Sequence, residues 1–510
     1  MQMSKVRVVN VAAVNKTFLR STTSITKENA EAIQNIKPWK EIPGPPALPI
    51  VGSMLSFLPG GKLSRYKGVQ LNDKMYQLYG PIVRLEGLMG ALPMVMLFDA
   101  DAVEHVLRSE NTMPIRPGFA TMEYYRKKHN KTHDPKRQTG LLSDHGENWK
   151  EFRSKVNHVM LQPKTIKLYK DVLDDVANDM VAKLRSDRDE NNMITKKIDL
   201  EMNLWALESI GVVALGTRLN CFDPNLPADS PARKLIKNVH DTFKIMEKVD
   251  FGPSPWRFFS TPMFKKAMKV YEEQESLTNC FINQAIKNME DSKKNSIDTL
   301  NSEKPILEKL LEIDVRVAHI MASDMLMAGV DTAANTALAT LYLLATNPDK
   351  QNKLREEVLA KETHKPYLRA CIKESMRMLP VVNGNARLAT KEYNLLGYRI
   401  PKDVMVIFSH QYMSNMKEHY PKPDEFIPER WLSDKEDPLY HGNAHPFVTN
   451  PFGYGVRMCI GRRIAELEMQ TFISKVVENF NIDWTGGPIN VTANSLNYIT
   501  GPFHFVFKDL

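Results

Sequence analysis

Apolar residues along this chain recur mostly at helical spacing, and one stretch stands apart because it is apolar on most faces. It runs from about Val315 to Thr346 and ends before Asn347-Pro348, which predicts a long helix that must be buried. A second helical pattern follows residue 459, where Ile460, Ile464, Leu467, Ile473, Val476 or Val477 and Phe480 keep one phase. Short runs at Ile82 to Leu85, Leu92 to Phe98, Tyr398 to Ile400, Val404 to Phe408 and Phe503 to Phe507 read as strands. No internal repeat is present. The one polar, linker-like stretch, Asp291 to Lys304, is expected to be a solvated loop.

Composition adds a leader. Residues 1 to 27 carry Lys5, Arg7, Lys16, Arg20 and Lys27 with no acid, many Ser and Thr, and only short apolar runs, which is transit-peptide composition, with a disordered basic tail as the alternative. No uninterrupted apolar run approaches the ~18 residues a membrane span requires. Residues 1 to 40 hold seven bases and two acids, net +5 of the chain's +8, so the remainder is only mildly basic and need not bind nucleic acid. Cys221, Cys280, Cys371 and Cys459 are widely spaced without a Cys-x-x-Cys pair, which argues against a disulfide scaffold or a zinc site.

Cys459 changes the picture most. It sits in Phe452-Gly-Tyr-Gly-Val-Arg-Met-Cys459-Ile-Gly461, just before the second helical pattern. Only a thiolate binds metal, and a helix start with free N–H groups favours one. Gly453 and Gly455 permit a tight loop, Gly461 lets the backbone approach a flat cofactor, and Arg457 is suited to an acidic edge of it. This loop resembles the haem-binding loop of the cytochrome P450 superfamily, Phe-x-x-Gly-x-Arg-x-Cys-x-Gly, at every specified position.

Three companion motifs extend the resemblance over nearly all of the chain, from Pro43-Gly-Pro-Pro46 to the C-terminus. Glu374 and Arg377 stand three apart on one helix face, and Pro428-Glu-Arg430-Trp431 follows where the family has an arginine that joins that ion pair. Glu374, Arg377 and Arg430 are therefore expected to be structural. Ala328-Gly329-Val-Asp331-Thr332 lies inside the long helix, and glycine there costs about 1 kcal/mol relative to alanine. The resemblance implies that this stretch crosses the distal haem face, where the glycine opens space for dioxygen and Asp331 and Thr332 relay protons. A glycine for close helix packing and a threonine bonded to its own helix is the alternative. Trp149 and Arg153, four apart, are candidates for one haem propionate, and Arg387 is another by family position. His145 is left out of the site.

The motifs must converge on one cofactor, so residues 41 to 510 are expected to form one large, mainly helical domain with a minor β region, and residues 1 to 40 a mitochondrial leader. The haem b would lie between the distal helix and the cysteine loop, with Cys459 as thiolate ligand. The resemblance is to the mitochondrial class, and most to insect members, which implies monooxygenation of an apolar xenobiotic or steroid-like substrate by O2. Electrons would come from NADPH through a reductase and a mitochondrial ferredoxin docked on Arg369, Lys373, Arg462 and Arg463. Compensation of the thiolate or a propionate is an alternative role for the arginine pair. Aromatics, prolines and lysines between Phe251 and Lys266 suit either the inner mitochondrial membrane on its matrix side or packing of a loop. Pocket walls are expected from Pro114 to Tyr125, Met325 and Met327, Val381 to Gly384 and Asn497 to Thr500. A donor-independent isomerase or lyase and a haem-thiolate sensor are the competing functions.

Overall fold

The computed structural model describes residues 36–87, 92–129, 138–194, 197–252, 254–295, 304–362, 364–493 and 496–510. All but the last five residues of the expected leader lie outside them. The helices that frame the site are α1 (Ala120–Tyr124), α2 (Gly146–Met160), α3 (Lys170–Asp187), α4 (Ile198–Leu215), α5 (Pro231–Met246), α6 (Pro262–Asn295), α7 (Val315–Ala345), α8 (Pro366–Met378) and α9 (Arg462–Asn479).

Helix α7 is the long apolar helix of the sequence reading. The Asp314 carboxylate caps it, accepting the Arg316 N–H at 2.7 Å and the Val317 N–H at 3.4 Å. It is buried on nearly every face and packs along α4, itself buried over most of its length. Gly329 sets that approach. A Cβ there would come within 2.7 Å of Ile210 on α4, so the missing methyl is filled by a neighbouring helix. Gly329 thus allows the close approach of α4, and it also lines the cavity described below.

Among the described residues, ten short strands accompany the helices. β1 (Ile82–Leu85), β2 (Met94–Leu97), β3 (Asn385–Leu388) and β6 (Met405–Phe408) form one sheet in the order β1-β2-β6-β3, with β2 and β6 parallel. Three two-stranded sheets pair β4 (Tyr393–Leu395) with β5 (Tyr398–Ile400), β7 (Phe480–Trp484) with β10 (Phe505–Asp509), and β8 (Asn490–Ala493) with β9 (Asn497–Thr500). Of the expected strands, those at Ile82–Leu85 and Tyr398–Ile400 match, β2 and β6 are shorter, and the last runs from Phe505 to Asp509 in place of Phe503 to Phe507. Phe480, taken as the end of a helical pattern, instead begins β7, because the chain turns extended once α9 ends at Asn479.

Two other expectations change. The polar stretch from Asp291 is helical through Asn295, the end of α6, and 296–303 lie outside the described residues. In the aromatic connection, Trp256 and Phe264 stack with ring centres 5.2 Å apart, whereas Phe258 and Phe259 are 77% and 62% exposed. That segment therefore both packs and presents apolar surface. The main core is helical, and a second lies behind the four-stranded sheet.

Candidate active site

A cavity of about 740 Å³ lies between α7, strand β3, the loop at 451–461 and the start of α9. This volume is in the range of small-molecule sites. Cys459 opens onto it. The sulfur faces the cavity with protein surrounding it, and burial pushes the thiol up from its ordinary value. The Gly461 backbone N–H, Arg153, Arg116 and Arg462 oppose that shift. Helix α9 begins at Arg462, three residues beyond Cys459, and Gly461 is its N-cap. The helix start alone therefore does not make the thiolate, whereas a coordinated cation deprotonates a thiol outright.

The loop is held at several points. The Cys459 N–H donates to Phe452 O at 2.8 Å, and Gly453 and Gly455 have φ of 73° and 70°, where a side chain would be strained. A Cβ on Gly461 would meet nothing closer than Cys459 Sγ at 4.0 Å, so that side of the backbone is open to a flat group.

Arginines crowd the same cavity: Arg116, Arg153, Arg387 and Arg457 all line it. Arg153 donates from Nη2 to Met458 O at 3.1 Å, while its Nε is buried without a hydrogen-bond partner among the described residues. Burial pushes it down to about 10, against the pull of Cys459. Arg457 stands 3.8 Å from the centre of the Trp149 ring and donates to Pro114 O at 2.9 Å and Asp144 O at 3.0 Å. Burial and then Arg116, Arg387 and Arg153 push it down to about 9. Arg387 is ion-paired with buried Glu110. Arg116 was not singled out in the sequence. Its neighbours Pro117 and Gly118 mark a sharp loop, but nothing local says that the loop turns the guanidinium inward. Positive groups this desolvated fit a ligand with carboxylates, and the orphaned Arg153 Nε fits haem propionates.

On α7, Thr332 lines the cavity and Asp331 does not. The Thr332 hydroxyl donates to Ala328 O at 2.6 Å, the back-bond weighed in the sequence reading. Asp331 is 1% exposed and turned toward the C-terminal sheet, where its Oδ2 accepts from Tyr498 OH at 2.7 Å. Burial raises its pKa, opposed by that bond and by His240. The two candidates thus share a helix and not a face.

Between α8 and the segment 414–431, Glu374, Arg377 and Arg430 come together with no exposure. Arg377 donates from Nε to Glu374 Oε2 at 3.0 Å and from Nη2 to Oε1 at 2.9 Å, and Arg430 Nε donates to Oε1 at 2.9 Å. Trp431 Nε1 completes the set at 2.9 Å from Glu374 Oε2.

The four surface bases are exposed. Arg369 donates to Gln470 at 3.2 Å, Lys373 lies 5.5 Å from the Trp431 ring centre, Arg462 pairs with Glu466 at 2.8 Å and Arg463 donates to Leu161 O. Of the expected pocket walls, Phe119, Met325 and Val381–Gly384 line the cavity, but Met327 is fully buried outside it. Asn497 instead buttresses it from behind, donating to Pro380 O at 2.7 Å, and Leu496 and Ala493 of that hairpin reach the cavity.

The family model for cytochrome P450 matches residues 42–501. Cytochrome P450 CYP12A2 of Musca domestica is 36% identical over 96% of this chain and 94% of its own length. Probable cytochrome P450 12a5, mitochondrial, of Drosophila melanogaster is 37% identical over 93% of this chain and 91% of its own. Probable cytochrome P450 301a1, mitochondrial, of the same fly is 32% identical over 92% and 87%. With this site in one helical domain, and with relatives similar from end to end, the chain belongs to the cytochrome P450 family, the haem-thiolate monooxygenases.

Proposed function

We propose that this protein is a mitochondrial monooxygenase that inserts one oxygen atom of O2 into an apolar substrate, xenobiotic or steroid-like, with electrons from NADPH through a ferredoxin. What carries this reading is a single coincidence: the Cys459 sulfur, the Thr332 side chain and four arginines all line one cavity. In it Cys459 would ligate the haem iron as a thiolate, Phe452 and Gly461 would hold the haem, and Trp149, Arg153, Arg387 and Arg457 would bind its propionates. The haem supplies the oxidising chemistry.

The remaining work falls to the chain. The apolar walls exclude water and hold the substrate. Thr332 Oγ1 passes protons at the distal side, supplied by Asp331 once its carboxyl leaves Tyr498. Glu374, Arg377 and Arg430 hold the loop in place. Arg369, Lys373, Arg462 and Arg463 receive an acidic ferredoxin, residues 1–40 direct import, and residues 41–510 carry the fold. The exposed Phe258 and Phe259 rest on the matrix side of the inner membrane, and no helix among the described residues is long and apolar enough to cross it.

The test is the reduced carbon-monoxide spectrum of wild type and Cys459→Ala, followed by turnover with ferredoxin and NADPH. The thiolate band is expected in the first and absent in the second. Its survival in Cys459→Ala would overturn the ligand assignment, and turnover without a donor would favour an isomerase.

A further inference from the structure

Glu247 is a carboxylate set in an apolar stripe of the cavity wall. Helix α5 continues past Met246 as one wide turn, Glu247–Phe251, and Phe243, Met246, Glu247 and Phe251 all line the cavity. The spacing 243, 247, 251 keeps one face, so the acid lies between two phenylalanines. Phe119 packs edge to face with Phe243 at 6.5 Å between ring centres.

A half-buried acid among aromatics is unfavourable unless a cation or donor meets it. Among the described residues, no ion pair or hydrogen bond reaches the Glu247 side chain, and after burial and Asp331 its charge helps to hold Tyr498 protonated. The other acids on the cavity are engaged differently. Asp324 is ion-paired with Arg126 at 2.8 Å, and Glu468 is so enclosed that burial pushes its carboxyl well up. Arg116 lies 5.8 Å from the Phe119 ring centre and feels the charges of Arg387, Cys459 and Asp324.

We propose that Glu247 selects, among apolar compounds, those that carry a cationic nitrogen, the carboxylate binding the charge while the Phe243 and Phe251 rings flank it. The inference rests on the reading that apolar substrates enter this cavity. An aromatic wall with one acid is the chemistry that recognises an alkylammonium group, whereas a neutral steroid gains only apolar contact from the rings and nothing from the carboxylate.

The test uses the holoenzyme and two probes of equal shape, phenylbutyl-trimethylammonium and its neutral isostere with a tert-butyl group. Neither can ligate iron. Binding is read by calorimetry and by the spectral shift on displacement of distal water, in wild type and Glu247→Gln. The expected result is that Glu247→Gln weakens the ammonium probe by roughly tenfold relative to the neutral one, whose Kd stays put. An unchanged ratio of the two affinities overturns the inference while leaving the monooxygenase reading intact. If neither probe binds wild type with a normal carbon-monoxide band, the inference and the apolar-substrate reading fall together.

Discussion

The Tyr498 hydroxyl donates to Asp331 Oδ2 at 2.7 Å, and His240 Nδ1 stands 4.0 Å from the same oxygen. The acid before Thr332 is therefore tied to the C-terminal hairpin, not aimed at the cavity. Tyr498→Phe removes the bond that opposes burial, so Asp331 is expected to rise further and the fold to lose about 1–3 kcal/mol, read from denaturant midpoints. Thr332→Ala behaves differently. Its hydroxyl is already bonded within its own helix, so stability is expected to change by less than about 1 kcal/mol while product formed per NADPH falls several-fold. Wild-type coupling in Thr332→Ala would remove the proton role.

The buried carboxylate of Glu374 serves two fully buried guanidinium groups and an indole N–H at once. Glu374→Ala leaves both charges unpaired, and breaking such a pair costs about 3–5 kcal/mol. The expected result is a sharp drop in haem per polypeptide together with a lower urea midpoint. A midpoint shift below about 1 kcal/mol would mean that the arginines find other partners.

Asp250 links the cavity's outer segments. Its Oδ1 accepts the Thr121 N–H at 3.1 Å and its Oδ2 the Thr121 hydroxyl at 3.1 Å, while Thr121 also meets Tyr271 OH at 2.8 Å. Burial, partly offset by the Thr121 bonds, pushes the carboxyl up to about 6. The folded protein then keeps a proton that the unfolded chain releases, so stability falls as pH rises from 3.8 toward about 6 and is level above. Asp250→Asn removes that slope. Between about pH 5 and about pH 7.5 the variant is expected to gain about 1 kcal/mol relative to wild type, measured by denaturant unfolding at both pH values.

What the sequence made legible follows from the range of each signal. Glu374 with Arg377 is an i, i+3 pair on one helix, and the haem-loop pattern is contiguous, so both survive translation into space. Orientation does not. Asp331 and Thr332 are adjacent, but neighbours on a helix diverge by about 100°, and only the hairpin at Tyr498 decides which faces the cavity. Gly329 likewise depends on a partner, Ile210, more than a hundred residues away. Arg116 turns inward through an irregular loop that has no periodicity to read. Glu247 sits in phase with Phe243 and Phe251, so its position was available from spacing once the cavity face of that helix was known.

The surface bases separate by how each is held. Arg462 is paired with Glu466 and Arg463 bonds a main-chain oxygen at the end of α2, so both contribute to the loop region as well as to charge. Lys373 lies over the face of Trp431 at 5.5 Å and has no ion pair or hydrogen bond among the described residues, which makes it the cleaner probe of docking. Attraction between exposed charges acts mainly on encounter and is screened over about 10 Å at 0.1 M salt. Lys373→Glu is therefore expected to raise the apparent KM for ferredoxin several-fold and to flatten its salt dependence, with the haem spectrum and peroxide-supported turnover unchanged. Arg463→Glu is expected to do the same and also to lower peroxide-supported turnover, because it loses its bond to Leu161. Stopped-flow reduction by ferredoxin at two salt concentrations checks both. Equal kinetics in Lys373→Glu and wild type would move the donor to another face of the molecule.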